Sequence, residues 1–440
     1  MKSLLKLLSL LLATFIVAVF ILVYMLVDGQ PLTIQQHQVS PAHADNSKRL
    51  AKRLYRTLQQ PNQQSKIVLT QNEIDGLGAI MHRALPQATL DVTLSEHGTV
   101  LLASIELPKP LSGQFINITA TLLPSNSGIE LSKVKVGEIV LSGETSLGIV
   151  RFLVDKYVGN GATDKLLSTI TSVSMSPSQL VVSLNIDSSL LDKDNDGSLF
   201  NKLRDELALF GDKKLIKYYY SELLSFAGRA PNNMPLHHFI RHLFHRTIVD
   251  NQTRQPTSYV EQNKALLVAL TLYFGHDRLT MLVGDIEPLN RQQKRLQYIH
   301  RRNVRLAGRN DLQQHFIYSI ALQLLSNVQA SDALGEFKEL LDTNKGGSGF
   351  SFADLMADRA GTRLAMIATY SEQQAKDIQI LLASIDDKTL LPTIENLAEG
   401  INESEFNRQF EGVGSKSYQQ MLGLIDDRLK TLPLYQFNWR

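Results

Sequence analysis

Residues 100–141 read VLLASIELPKPLSGQFINITATLLPSNSGIELSKVKVGEIVL, and this stretch decides the fold class. Apolar and β-branched residues alternate with polar ones along residues 100–107, 114–123 and 129–141, and residues 89–94 have the same pattern. Alternation with a period of two is typical of strands that bury one face. Proline and glycine separate the segments, so we expect consecutive strands to pair as an antiparallel meander.

Helical patterns flank the meander and take over after it. Thr70 and Glu73 have the spacing of a capping box, which predicts a helix N-terminus. Residues 147–157 look helical, residues 179–186 look like one more strand, and strand patterns nearly vanish beyond Leu199. The sequence therefore predicts the α+β class. An antiparallel-sheet domain with helices would occupy residues 46–190, and a mainly α-helical distal domain would occupy residues 200–440.

The N-terminus contains an apolar run, residues 7–27, that has no charged residue. About 20 apolar residues are enough for a helix to cross a bilayer. Lys2 and Lys6 precede the run, so the positive-inside rule predicts a cytoplasmic tail at residues 1–6 and export of the remainder. A cleaved signal peptide has a shorter apolar core and a nearby cleavage site. We therefore expect a single-pass signal anchor in a bacterial inner membrane, a polar linker at residues 28–45 and a C-terminal bulk in the periplasm.

Composition excludes several classes of function. Lys and Arg number 45 against 43 acidic residues, so the charge gives no reason to expect nucleic acid as a partner. The chain has no cysteine, which excludes thiol catalysis and disulfides. The lipid anchor of a lipoprotein is excluded for the same reason.

The segments LTQNEIDGLG, at residues 69–78, and SGIELSKVKVGEIVLSG, at residues 127–143, together carry a family resemblance. Residues 46–190 resemble the YpmS-type membrane-anchored extracytoplasmic domain, in which a helix precedes curved strands. The resemblance implies an α+β membrane-proximal domain without a settled activity. A twisted sheet around a helix could hold a lipid tail, and the alternative is that the sheet packs only its own helices.

Two local patterns suggest metal ligands. Carboxylates alternate before Gly197, as a calcium loop requires, although position twelve of such a loop would be Leu203; the carboxylates are Asp192, Asp194 and Asp196. In PLHHFIRHLFHR, His238 and His242 lie one helical turn apart, a spacing that can bind zinc from one helix face. The alternatives are a solvated turn at the first pattern and an amphipathic helix boundary at the second.

The main candidate site lies between residues 306 and 368. One imidazole and four carboxylates on three short predicted helices could converge there; they are His315, Glu339, Asp342, Asp354 and Asp358. Such a cluster could bind a divalent metal, or a carboxyl pair could act as general acid and base. The alternative is structural, because the same carboxylates could face water or pair with nearby Lys and Arg residues to lock the helices.

The order of these motifs also resembles a family. A His-Phe helix at His315, a Lys-Glu pair at Lys338 and an Asp helix that ends at Gly361 follow one another along the chain. This order is similar to the YfiM-like periplasmic lipoproteins and, more distantly, to VanZ-like membrane proteins. That resemblance implies a periplasmic location and a local fold, and it carries no established chemistry.

These observations favour a non-catalytic envelope factor that binds a lipid, polysaccharide or protein partner near the membrane. The alternative is a metal-dependent or carboxylate-dependent hydrolase that acts on an envelope polymer through the His315 cluster. The sequence names no cofactor.

Overall fold

The chain has an α+β fold that divides into two compact units. Unit 1 comprises Met1–Gln38 and Asp45–Phe200, and unit 2 comprises Val39–Ala44 and Asn201–Arg440. The computed structural model describes residues 24–34, 46, 49, 50, 53, 57, 64–158, 161–187, 211–253, 256–275, 289–325 and 348–436.

Unit 1 contains two antiparallel sheets. The larger is the predicted meander, in the order β2-β3-β4-β5-β6, and the smaller has the order β1-β8-β7. The strands of the larger sheet are β2 (Ala88–Thr93), β3 (Thr99–Glu106), β4 (Phe115–Leu123), β5 (Glu130–Val136) and β6 (Ile139–Leu141). The strands of the smaller sheet are β1 (Gln64–Thr70), β7 (Ile170–Met175) and β8 (Gln179–Asn185).

The single strand predicted over residues 129–141 is wrong, because it is two strands joined by a turn. Gly137 has a φ of 57° and Glu138 completes the turn between β5 and β6. A side chain at Gly137 would collide with the backbone of Met25 and Leu26. Glycine is therefore required both for the left-handed conformation and for the close approach of the chain from the N-terminus.

Three helices complete the described part of unit 1: α1 (Gln71–Ala84), α2 (Gly143–Val158) and α3 (Ala162–Ser168). The predicted capping box at Thr70 and Glu73 is confirmed, since each side chain accepts from the other residue's backbone N–H. Arg53 also pairs with Glu73 at 2.9 Å. Burial raises the pKa of Glu73, but the hydrogen bonds from Arg53 and Thr70 outweigh it and hold the pKa below its ordinary value.

Residues 25–34, which we call the strap, cross one end of the larger sheet. Glu138 N–H donates to the carbonyl of Met25 at 2.6 Å, which ties the start of the strap to the β5–β6 turn. Asp28 and Phe115, the first residue of β4, then exchange two backbone hydrogen bonds of 2.8 Å. Part of the predicted linker at residues 28–45 is thus hydrogen-bonded to the sheet.

The second half of the strap continues across the same end. The backbone N–H of Leu32 donates to Ser104 Oγ at 2.8 Å, near the end of β3. Thr89 Oγ1, at the start of β2, donates to the carbonyl of Thr33 at 2.9 Å. The strap therefore contacts the β5–β6 turn, β4, β3 and β2 in turn, and these backbone groups of the strap are satisfied there.

Unit 2 is helical around a central helix, α6, whose residues 265–274 are apolar or small and all buried, as expected of a helix without a polar face there. Asn263 of α6 donates to the carbonyls of Ala368 and Ala375 at 2.9 Å and holds the neighbouring helices. The helices are α4 (Lys213–Ala227), α5 (Leu236–Thr253), α6 (Tyr259–Phe274), α7 (Arg291–Asn303), α8 (Asn310–Leu325), α9 (Phe352–Thr369), α10 (Glu372–Leu382), α11 (Asp387–Leu390), α12 (Glu403–Phe410) and α13 (Lys416–Lys430).

No described helix is both long and apolar enough to cross a membrane, and residues 1–23 lie outside the described part of the chain. The predicted anchor at residues 7–27 therefore falls almost wholly outside it. Only residues 24–27 of that run are described.

Three charged residues join α13 to α9. Asp426 accepts from Arg359 Nε at 2.7 Å and from Arg363 Nη2 at 2.7 Å. Burial raises the pKa of Asp426, but the two guanidinium groups outweigh it and hold the pKa below its ordinary value. A carboxyl whose pKa is lowered by folding stabilises the folded state above its unfolded pKa, and that stabilisation is lost as the pH falls through the folded value.

We expect Asp426→Asn to lower the free energy of unfolding at pH 7 by about 1–3 kcal/mol, because two buried guanidinium groups lose their charged partner. The difference in the free energy of unfolding between wild type and variant should become smaller below about pH 4, as the wild-type carboxyl takes up its proton. Urea unfolding followed by circular dichroism, at pH 7 and again below about pH 4, measures this difference. Asp427→Asn is the control, because Asp427 pairs only with exposed Lys430. A gap that does not change with pH would contradict the ion-pair account.

Candidate functional site

The site lies where α8 and α9 pack face to face. A side chain at Gly361 of α9 would collide with the carbonyl of Phe316 in α8, so only glycine allows the two backbones this close. His315 and Ser319 are one turn apart on α8, as Asp354 and Asp358 are on α9. Residues four apart share a helix face, so the two pairs oppose each other across the contact.

His315 bridges the two aspartates. Its Nδ1 lies 3.1 Å from both carboxylate oxygens of Asp358, and its Nε2 lies 3.5 Å from Asp354 Oδ2. Ser319 Oγ donates to Asp358 Oδ1 at 2.7 Å. Each ring nitrogen of the imidazole therefore faces a carboxylate, and Asp358 holds both residues of α8.

Arg309 extends the cluster towards solvent. Its Nη2 lies 3.5 Å from Asp354 Oδ1, and its guanidinium also pairs with Asp311 and Glu399 at 2.6 Å each. The hydrogen bond from Arg309 lowers the pKa of Asp311. The carboxylates of Asp311 and Glu399 in turn raise the pKa of Arg309 above its ordinary value. Arg309 therefore compensates negative charge on α8, on α9 and on the segment between α11 and α12.

The inner part of the cluster is shielded from water. His315 is 7% exposed, Asp354 8% and Asp358 5%. Carboxylates at such depth are costly unless they are paired, since burial removes their hydration. The structural interpretation in which Asp354 and Asp358 face water is therefore wrong. They do join helices, but through His315, Ser319 and Arg309, whereas Arg359 and Arg363 of the same helix pair with Asp426.

The geometry limits the chemistry that the described residues can perform. In a serine hydrolase the nucleophile donates to the imidazole, which then accepts its proton. Here Ser319 donates to Asp358 instead, and His315 is engaged on both sides by carboxylates. The arrangement groups one imidazole, one hydroxyl and two carboxylates at the contact between α8 and α9.

A metal would need further ligands. Among the residues that the structure describes, no group of three or more His, Asp or Glu side chains is arranged to hold a metal ion. His315 Nε2 and Asp354 Oδ2, 3.5 Å apart, are one pair of candidate donors. Two donors fall short of the three or four that zinc takes from protein.

Several predicted ligands fall outside the described residues. Of the five cluster candidates, Glu339 and Asp342 lie there, whereas His315, Asp354 and Asp358 converge as described. The predicted calcium loop also lies outside; its residues are Asp192, Asp194 and Asp196.

The predicted histidine pair on α5 has local partners. His238 Nδ1 accepts from Arg241 Nη2 at 2.7 Å, and the ring of His242 stacks on Phe226 with centroids 4.1 Å apart. Burial lowers the pKa of His238 and of His242, which favours their neutral forms. Both contacts agree with the amphipathic-helix interpretation.

Sequence reasoning missed Arg309 and Ser319. Ser319 follows His315 by four residues, a spacing that puts it on the same face and could have identified it. Arg309 precedes α8 and reaches Asp354 and Glu399, which are distant in sequence. No sequence signal indicates those pairings.

Comparison of the chain with protein-family models, curated proteins and solved structures finds no match.

We expect His315→Ala to lower the free energy of unfolding by about 3–5 kcal/mol at pH 7, because two buried carboxylates lose their shared partner. Asp358→Asn should lower the free energy of unfolding less in the His315→Ala protein than in the wild-type protein, because in the former it removes a charge that has lost its imidazole partner. Chemical denaturation of the four proteins of this cycle measures the coupling. Arg408→Ala, which breaks an exposed pair, should leave stability unchanged. Additive effects of the two cluster substitutions would contradict the bridge.

Proposed function

We propose that the protein is a single-pass, membrane-anchored envelope factor whose bulk faces the periplasm. In this proposal residues 7–27 anchor the chain in a bacterial inner membrane. The exported units bind a lipid, polysaccharide or protein partner without catalysing a reaction.

The strap is the observation that carries this proposal. Its first three residues are the last three of the apolar, charge-free run, and from Met25 to Thr33 it is hydrogen-bonded to the β5–β6 turn and to β4, β3 and β2. An anchor joined to a folded unit without a free spacer suits a protein that holds a binding surface near the bilayer. A long flexible linker would instead let the unit range away from the membrane.

The His315 cluster supports the non-catalytic part. Its imidazole and hydroxyl contact carboxylates of the same cluster, and the carboxylates are buried. Catalytic acids and bases must reach substrate. A bridge that joins two helices explains these residues without a substrate.

Exposed apolar residues on α2 support partner binding. Ile149, Val150 and Phe152 are exposed, while Gly143 and Ser146 are buried at the start of the same helix. Apolar side chains grouped on one element mark interaction sites more often than a single exposed apolar residue does. They favour a lipid or protein partner over a polysaccharide.

Anchoring and orientation can be tested with single cysteines, since the chain has none. In bacterial spheroplasts, Asn126→Cys, in the exposed β4–β5 turn, should react with a membrane-impermeant maleimide. Lys2→Cys should react only after lysis, because it lies on the cytoplasmic side of the anchor. The protein should also stay with membranes at alkaline pH. The opposite labelling pattern, or release of the full chain into the soluble fraction, would refute the proposed anchoring.

A hydrolase is the second candidate, and the convergence of His315, Asp354 and Asp358 is the observation that favours it. The purified full chain would then release fragments from an envelope polymer such as peptidoglycan. His315→Gln would abolish the release, whereas Asp426→Asn, whose loss of stability comes from another ion pair, would retain it. We expect no release from the wild-type protein.

A further inference from the structure

The strap end of the larger sheet carries a set of exposed apolar side chains. Tyr24 is 85% exposed, Leu32 48%, Ile34 66%, Ile105 38% and Leu111 47%. Soluble surfaces tolerate scattered residues of this kind, whereas a grouped set marks a contact with a membrane or partner.

Strand register puts these residues at one end. Ile105 lies one residue before the end of β3 and pairs with Ile116 near the start of β4. Leu111 lies in the loop between those two strand ends. Leu32 is hydrogen-bonded through its backbone to Ser104 of β3. The exposed residues of the strap, the sheet and the loop therefore belong to the same end of the sheet.

The β3–β4 loop is exposed yet held in shape. Glu106 Oε1 accepts from Ser112 Oγ at 3.1 Å and from the backbone N–H of Gly113 at 2.9 Å. These bonds fix the loop around Leu111, which is exposed together with Lys109. An apolar tip beside a lysine is a common composition at a membrane interface, where the ammonium can meet lipid phosphate.

We propose that the strap end of unit 1 rests on the lipid bilayer and inserts Leu111, Leu32 and Ile34 into its interfacial region. This inference rests on the anchoring proposed above. The lipid bilayer is the expected partner of this surface because the apolar run ends at Val27, inside the strap that crosses this end of the sheet. Under the proposed anchoring, the apolar run leaves the membrane there and this end of the sheet lies at the lipid headgroups, and Tyr24 has the residue type favoured at that depth.

Charge indicates that the contact is mainly apolar. Lys109 is the exposed cation of the loop, while Asp28 accepts from Asn117 Nδ2 at 2.9 Å and Glu106 is used in holding the loop. At the β5–β6 turn, exposed Lys135 and Glu138 pair with each other at 3.9 Å. The charges at this end therefore do not form a basic patch. Burial of the apolar tip in lipid should depend little on salt or on anionic lipid, unlike binding through a polybasic surface.

The test uses the full chain in vesicles of phosphatidylethanolamine and phosphatidylglycerol. An environment-sensitive fluorophore is attached at Leu111→Cys, and a nitroxide on the lipid headgroup region serves as quencher. Asn126→Cys is the matched control, since it lies in the turn at the opposite end of β4. Nine strand residues separate the two ends, which is about 30 Å. We expect several-fold stronger quenching at Leu111→Cys than at Asn126→Cys, and no change in 0.5 M salt (about a twofold shorter screening length than physiological).

The outcomes separate the two proposals. If the labelled protein floats with the vesicles but both positions are quenched equally weakly, the anchor stands and the bilayer contact is wrong. A Leu111→Cys probe that is shielded from water, unquenched by lipid and cross-linked to a second copy would assign this end to self-association instead. Failure of the full chain to float would overturn the anchoring and the contact together. Repeating the measurement with Ile34→Cys checks that Leu111 represents the whole end.

Discussion

Charged side chains inside a helical core must be paired, and the contact between α8 and α9 depends on how this requirement is met. Gly361 lets the two backbones approach, and the approach buries Asp354 and Asp358 on α9 opposite His315 and Ser319 on α8. The imidazole then serves both carboxylates, because each of its nitrogens faces one of them. Removal of His315 leaves two buried carboxylates without their shared partner, so the close packing and the polar bridge depend on each other.

The same requirement is met around the cluster by arginines. Arg309 joins Asp354 to Asp311 and Glu399, and Arg359 and Arg363 share Asp426 on α13. Planar guanidinium groups offer several N–H donors, so one arginine can satisfy carboxylates from more than one helix. Unit 2 therefore uses its buried charges chiefly to hold helices together. This use favours a binding or scaffold role over catalysis, because a catalytic group has to remain available to substrate.

Unit 1 meets a different constraint, which concerns the backbone of the chain that follows the apolar run. The strap crosses the ends of four strands and satisfies its amides and carbonyls there. Its apolar side chains are left facing outward beside Ile105 and Leu111. Under the proposed anchoring, the polar backbone groups of the strap contact the sheet, and its apolar side chains contact the bilayer. The anchor and the sheet would then act as one attachment, with α2 presenting a further apolar face to a partner.

Local patterns in the sequence determined the α+β class, the meander over residues 89–141 without its division into β5 and β6, the capping box at Thr70 and Glu73, and the shared helix face of Asp354 and Asp358. Periodicity and capping act between residues a few positions apart, so one sequence carries them. Strand β1, the turn at Gly137, the docking of the strap and the reach of Arg309 to Glu399 were decided by tertiary structure. These features depend on close approaches between distant segments, such as Gly137 against Met25 and Gly361 against Phe316. Such approaches are set by the packing of whole elements, and a sequence pattern records only that a small or polar residue is present.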